Sequence, residues 1–314
     1  MGWVILIVIA GVLAALALRE YRFTRTMAAK SREAVPPKGD FIEISTGKLH
    51  YLEKGSGPAI LLIHGLGGNL RHFDMGVIDD LAQDHRVVAV DRPGMGWSDR
   101  PDDAPANLRA QAGYMAEVIS ALSLDRPLLV GHSLGGGISL AFALDHPELT
   151  RGLALVAPLC LPTDQTSPAF KALAIPSPLM RKLVSLFLST RATIRNRDAN
   201  MDLVFGPEPV PGGFPLQGGG LMGLRPEQFR NMSRDFLHAG DDLNAMLARY
   251  DTLPQPVQII TGRDDRILPI DQQAVELNRR FPQIRVELVD GGHMLPLTQP
   301  ELTAQFIRRV DALT

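Results

Sequence analysis

The stretch Leu128-Leu129-Val130-Gly131-His132-Ser133-Leu134-Gly135-Gly136-Gly137 constrains the fold more than any other part of the chain. It opens as a short apolar run after Pro127, the pattern of a buried strand. It then bends through Gly131 to Gly135 and continues as Ile138-Ser139-Leu140-Ala141-Phe142-Ala143-Leu144, which reads as a helix packed on a sheet. A serine at the apex of such a bend sits in strained backbone with its hydroxyl exposed. The glycines two places before and after it avoid a side-chain collision across the bend. The G-x-S-x-G spacing therefore has two readings, a nucleophile elbow or a glycine-rich loop with an incidental serine. The rest of the chain decides between them.

Around this stretch, apolar strands alternate with amphipathic helices. Residues 41–44 and 49–53 alternate as a hairpin about Thr46-Gly47, and residues 59–63, 86–90 and 152–156 are continuous apolar runs, as central strands are. Helices are expected at 69–84 and 108–122. After 256–261 the pattern resumes with a helix at 271–281, a last strand at 284–289 and a last helix at 300–313. This order predicts a mostly parallel sheet covered by helices on both faces, with functional residues at the carboxyl ends of the strands. Residues 158–242, rich in Leu, Met, Phe, Pro and Gly, break the alternation and read as a cap inserted over those ends. The α/β core is then 41–157 plus 243–314.

The amino terminus reads separately. Residues 3–18 contain no polar side chain, and as a helix they span about 24 Å, close to a hydrocarbon core of about 30 Å. Arg19 and Arg22 can snorkel beyond it, and Tyr21 and Phe23 suit an interface. Residues 1–23 are thus expected to be a transmembrane anchor and 24–40, with Pro36-Pro37, a tether. Residues 1–38 carry six basic against two acidic side chains, a net +4, which leaves −6 for the remainder of a chain whose total is −2. The basic flank favours a cytoplasmic catalytic domain. The alternative is a signal peptide cleaved near Ala15-Leu16-Ala17, although the basic residues follow the apolar run instead of preceding it. The net charge offers no general attraction to nucleic acid, and the lone Cys160 excludes an internal disulfide and a cysteine-based metal cluster.

A serine hydroxyl needs a base, and the base needs an orienting partner. His293, in Asp290-Gly291-Gly292-His293-Met294, directly follows the last strand and is the expected base. His64 and His132 lie inside tight turns, where backbone-fixing roles are expected. The acid should also follow a strand, and Gly262-Arg263-Asp264-Asp265 does so; the Gly-x-x-Asp-x-x-x-Pro spacing to Pro269 favours Asp265, with Asp264 as the alternative. The oxyanion needs two backbone N–H donors, which Leu134 after the serine and Leu66 of His64-Gly65-Leu66-Gly67-Gly68 are placed to supply.

These motifs, with Asp91-Arg92-Pro93-Gly94-Met95-Gly96-Trp97-Ser98, make the chain from 41 to 314 resemble an α/β-hydrolase of the capped esterase/lipase type, similar to monoacylglycerol lipases. The resemblance implies an eight-stranded, mostly parallel sheet, a Ser133–His293–Asp265 triad and no cofactor. It also implies that residues 91–98 chiefly brace the site floor. Within that family, a serine nucleophile argues against haloalkane dehalogenases and epoxide hydrolases, and Gly-His-Ser-Leu-Gly differs from the Gly-Gly-Ser-Trp-Gly of proline iminopeptidases. Carbon–carbon bond hydrolases often carry Asn and Met where His132 and Leu134 stand, so these residues look more like an esterase, lipase or thioesterase. Leu179, Met180, Leu183, Val184, Leu186, Phe187 and Leu188, at helical spacing in the cap, are expected either to cover an acyl-chain pocket or to pack on the core. The expected substrate is an apolar, lipid-like carboxylic ester. The alternatives are C–C bond hydrolysis and cofactor-free haloperoxidase chemistry on the same fold.

Overall fold

The computed structural model describes residues 1–163 and 168–314. The expected cap span includes 164–167, which lie outside the described residues. The strands are β1 (Asp40–Ile44), β2 (Gly47–Lys54), β3 (Ala59–Ile63), β4 (Arg86–Val90), β5 (Leu128–His132), β6 (Gly152–Val156), β7 (Val257–Gly262) and β8 (Arg285–Val289). They form one eight-stranded sheet in the order β1-β2-β4-β3-β5-β6-β7-β8. Only β2 runs against its neighbours β1 and β4; the others are parallel.

Helix α1 (Gly2–Ala34) precedes the sheet; α2 (Val77–Leu81), α3 (Leu108–Ala121) and α4 (Leu134–Asp145) connect its first half. Helices α5 (Pro178–Phe187), α6 (Ser189–Arg195), α7 (Arg197–Phe205), α8 (Pro226–His238) and α9 (Leu243–Leu247) lie between β6 and β7. Helices α10 (Ala274–Arg280), α11 (Leu295–Thr298) and α12 (Pro300–Asp311) complete the chain. The continuous apolar strands are required because both sheet faces are covered. Along β3, Leu61 and Ile63 join the core under α3 and α4, while Ile60 and Leu62 join the core under α2 and α12.

Two expectations are corrected here. The helix expected over 69–84 shrinks to a single 3₁₀ turn, Leu70–His72, and the five residues of α2. The competing interaction is local: Asn69 accepts from the Arg71 amide at 3.0 Å, and Asp91 accepts from the Leu70 amide at 2.8 Å, which fixes the loop beside the strand ends. The tether expected over 24–40 is instead helical as far as Ala34. Thr24, Ala28 and Ser31 recur at helical spacing and are buried, so one face of α1 docks on the inserted helices. Ser31 Oγ donates to the Leu221 carbonyl at 2.8 Å, and Arg225 donates to Ser31 Oγ at 3.1 Å and to the Val35 carbonyl at 3.1 Å. A stripe of small residues carries little hydrophobic signal, which is why the charged composition of this segment reads as a linker.

Candidate active site

The bend after β5 is as tight as its glycines suggest. Ser133 has φ 56° and ψ −119°, a left-handed conformation that costs a non-glycine residue about 1–3 kcal/mol. A Cβ on Gly135 would lie 2.1 Å from the Ile63 carbonyl, and one on Gly131 would lie 2.4 Å from the Gly135 carbonyl, so neither position admits a side chain. The strain is held by hydrogen bonds from the Ser133 amide to the Val156 carbonyl (3.0 Å) and from the Leu159 amide to the Ser133 carbonyl (2.9 Å).

Ser133, Leu66, Leu134 and His293 line one cavity of about 570 Å³ at the carboxyl ends of the strands, within the size range of small-molecule sites. Leu134 opens α4, where first-turn amides have no partner within the helix. Behind His293, Nδ1 donates to Asp265 Oδ2 at 2.7 Å, and the Asp265 side chain is wholly buried. The other oxygen of Asp265 accepts from the Ile267 and Leu268 amides at 2.8 and 2.9 Å. These three bonds fix the direction of the carboxylate. Asp264 is exposed and does not meet the histidine.

Two further histidines near the site, His132 and His64, have structural bonds. His132 Nε2 donates to the His293 carbonyl at 3.0 Å and so supports the loop that carries the candidate base. His64 Nδ1 donates to the Gly65 carbonyl at 2.8 Å, and its Nε2 accepts from the Arg92 amide at 3.0 Å. Burial holds both rings well below the usual histidine range, so they are neutral near pH 7. His72, which also lines the cavity, is pushed down to about 4 by burial.

The expected bracing by residues 91–98 has partners in the inserted helices. Arg92, fully buried, donates to the carbonyls of His64 and Gly65 at 3.0 Å each and pairs with Asp235 of α8 at 2.8 Å. Arg100 joins the same carboxylate at 2.6 Å. The loop after β3 is therefore bolted to α8 through buried charge. Glu208 accepts from the Gly292 amide at 2.8 Å and from Gln299 Nε2 at 3.0 Å, which ties the cap to the His293 loop. Nothing local in the sequence marks either acid.

The cavity is lined by Phe170, Met201, Val204, Phe214, Met232 and Phe236, among others, and not by the apolar residues expected from α5. Leu179, Met180 and Leu183 of α5 and the adjoining Leu188 are exposed, so they neither roof the pocket nor pack on the core. Among the described residues, no group of three or more His, Cys, Asp or Glu could hold a metal ion.

A sequence model of the alpha/beta hydrolase family matches residues 60–306. The chain belongs to the α/β-hydrolase family. This hydrolase is 30% identical over 222 residues to the 2-hydroxymuconate semialdehyde hydrolase of Pseudomonas sp. (strain CF600), covering 69% of this chain and 74% of that one. Its fold matches the crystal structure of an alpha/beta hydrolase fold protein from Burkholderia ambifaria, with a TM-score of 0.73 and 23% identity over 85% of this chain and 95% of that one. It also matches a bacterial membrane phospholipase A, with a TM-score of 0.65 and 24% identity over 99% of this chain and 97% of the other.

Proposed function

We propose that this hydrolase cleaves carboxylic esters with an apolar, lipid-like acyl group through an acyl-enzyme. The observation that carries the reading is a strained Ser133 and a carboxylate-backed His293 lining one apolar cavity. In this reading Ser133 Oγ attacks the ester carbonyl carbon while His293 Nε2 takes its proton. The amides of Leu66 and Leu134 hold the developing oxyanion, a role for which loss of one donor typically costs about 2.7–4 kcal/mol. As the intermediate collapses, His293 returns the proton to the departing alcohol. Water then attacks the acyl-enzyme by the same route and releases the acid, and Ser133 regains its proton. Asp265 holds the imidazole in the tautomer that leaves Nε2 free to accept.

The relatives that hydrolyse carbon–carbon bonds define the second reading, since a 2-hydroxymuconate carries a carboxylate. A buried carboxylate needs a cationic partner. Among the described residues, the cavity lining contains no Lys or Arg. That supports an uncharged ester over such an anion. The helix α1, long and apolar enough to cross a membrane, supports a substrate that partitions into lipid, with the catalytic domain tethered to the cytoplasmic face.

The test is turnover of a chain-length series of p-nitrophenyl esters beside a vinylogous diketone, by the full chain and by Ser133→Ala. The expected result is ester turnover with an optimum at intermediate or long acyl chains, lost by roughly 10⁴-fold or more in the variant. Diketone turnover exceeding that of every ester would favour the C–C reading. Full activity of Ser133→Ala would remove the nucleophile assignment.

A further inference from the structure

Helix α5 is built inside out. Its inward positions are polar: Arg181 and Ser185, four residues apart, are buried. Arg181 donates to the carbonyls of Ile175 (2.9 Å) and Pro176 (3.2 Å), and Ser185 Oγ donates to the Lys182 carbonyl (2.8 Å), so these inward groups are satisfied, while Val184, Leu186 and Phe187 are half-buried beside them. Its outward positions are apolar: Leu179 is 65% exposed, Met180 51% and Leu183 39%, and Leu188, which joins α5 to α6, is 60% exposed. A surface helix in water shows the reverse arrangement. Large side chains grouped on one exposed face mark a contact with something apolar.

The position of this face identifies the partner. Tyr21 of α1 packs on Phe187 of α5, with ring centroids 6.2 Å apart. The Arg191 guanidinium of α6 lies 3.9 Å from the Phe23 ring centroid and pairs with Glu20. The inserted helices therefore meet α1 at residues 20–23. From Trp3 to Tyr21 is about 27 Å of helix, close to the thickness of a hydrocarbon core. The apolar face of α5 thus adjoins the level at which α1 leaves the bilayer. Its rim is mainly basic, with Asp198 the first acidic side chain beyond it. Residues 168–197 contain six basic side chains and no acidic one, and Lys171, Lys182, Arg195 and Arg197 are exposed. An apolar face with a basic border is the composition of a helix lying in an anionic lipid interface.

We propose that the outer face of α5 and the start of α6 form a second membrane contact, seated among the headgroups of an anionic leaflet beside α1. The contact rests on reading α1 as a membrane anchor. It sets the cap, and with it the roof of the cavity, against the lipid surface.

The experiment uses the full chain reconstituted into vesicles of phosphatidylcholine and phosphatidylglycerol. A polarity-sensitive fluorophore is attached in turn at Leu183→Cys, Leu16→Cys and Arg285→Cys. The native Cys160 is buried, and Arg285, on β8, is exposed and serves as the aqueous reference. The expected result is blue-shifted emission at 183, quenched by lipids spin-labelled near the headgroup. Position 16 should be quenched by lipids labelled deep in the chain, and position 285 by neither. Vesicles of phosphatidylcholine alone should weaken quenching at 183 and leave position 16 unchanged. Emission at 183 matching that at 285, while 16 remains quenched, would overturn the second contact and keep the anchor. Failure of quenching at both 16 and 183 would overturn both. A blue shift at 183 without lipid quenching would mean that another protein surface, such as a second copy, covers the face, and would also overturn the proposal. Leu179→Cys, one helical turn from Leu183 and 65% exposed, provides a second reporter on the same face should Leu183→Cys fail to fold.

Discussion

Two histidine–aspartate pairs in this molecule have the same geometry and different surroundings. His293 Nδ1 lies 2.7 Å from Asp265 and His50 Nδ1 lies 2.7 Å from Asp91; in both pairs the side chains are at most 5% exposed. They differ at the other ring nitrogen. His50 Nε2 accepts from the Lys38 amide at 3.1 Å, and Asp91 also holds the amides of Leu70 and Trp97 at 2.8 Å. Every polar atom of that ring is used to join the amino-terminal strands to the site floor. The ring of His293 instead borders the cavity that contains Ser133. A carboxylate makes an imidazole oriented; only an unoccupied second nitrogen beside a substrate makes it a base.

The comparison can be broken most directly at His293. Replacement by Asn should lower ester kcat by roughly 10⁴-fold or more while leaving the melting temperature nearly unchanged, measured by steady-state turnover and thermal unfolding. Asp265→Asn should follow, also at roughly 10⁴-fold, because the amide favours the wrong imidazole tautomer. Asp264→Asn, assayed in parallel, should stay within about 0.5 kcal/mol in stability and within assay error in kcat, since its carboxylate is exposed. Equal losses in the two variants would remove the distinction between these neighbouring acids.

The structural pair should respond in the opposite currency. His50→Asn removes one of the three bonds to the buried Asp91 carboxylate and the acceptor of the Lys38 amide, and should cost about 1–3 kcal/mol in denaturant unfolding with kcat little changed. An effect of comparable size, but confined to low pH, is expected from His72. Its folded pKa of about 4 lies below the ordinary 6.5, so between those values the unfolded chain takes up the proton and the folded protein does not. Stability therefore falls as pH falls through that window, by up to about 3 kcal/mol for this group. Unfolding followed from pH 7 to pH 4 should show a shallower decline in His72→Phe than in the native chain. An identical decline in both would assign the pH sensitivity elsewhere, with His64 and His132 the next buried rings.

The parts legible in the sequence are those where local spacing and topology coincide. The strand-to-loop positions of Ser133, Asp265 and His293 follow from apolar runs that end in glycine-bearing turns, because parallel strands deliver their carboxyl ends to one edge. The cap was legible as an interruption and not as a pocket. Leu179, Met180 and Leu183 recur at helical spacing, and that period identifies a face without specifying which medium it meets; the structure turns the face outward. Cavity residues such as Met201, Phe214 and Phe236 are scattered over separate elements and share no period. Asp235 and Glu208 act through partners more than eighty residues away, so nothing near them announces the role.

The buried contact of Asp235 with Arg92 and Arg100 also governs how a ligand can pass. Lifting α8 from the sheet would part a buried carboxylate from two guanidinium groups, a cost of several kcal/mol before any other contact is lost. That flank of the roof is consequently the fixed one.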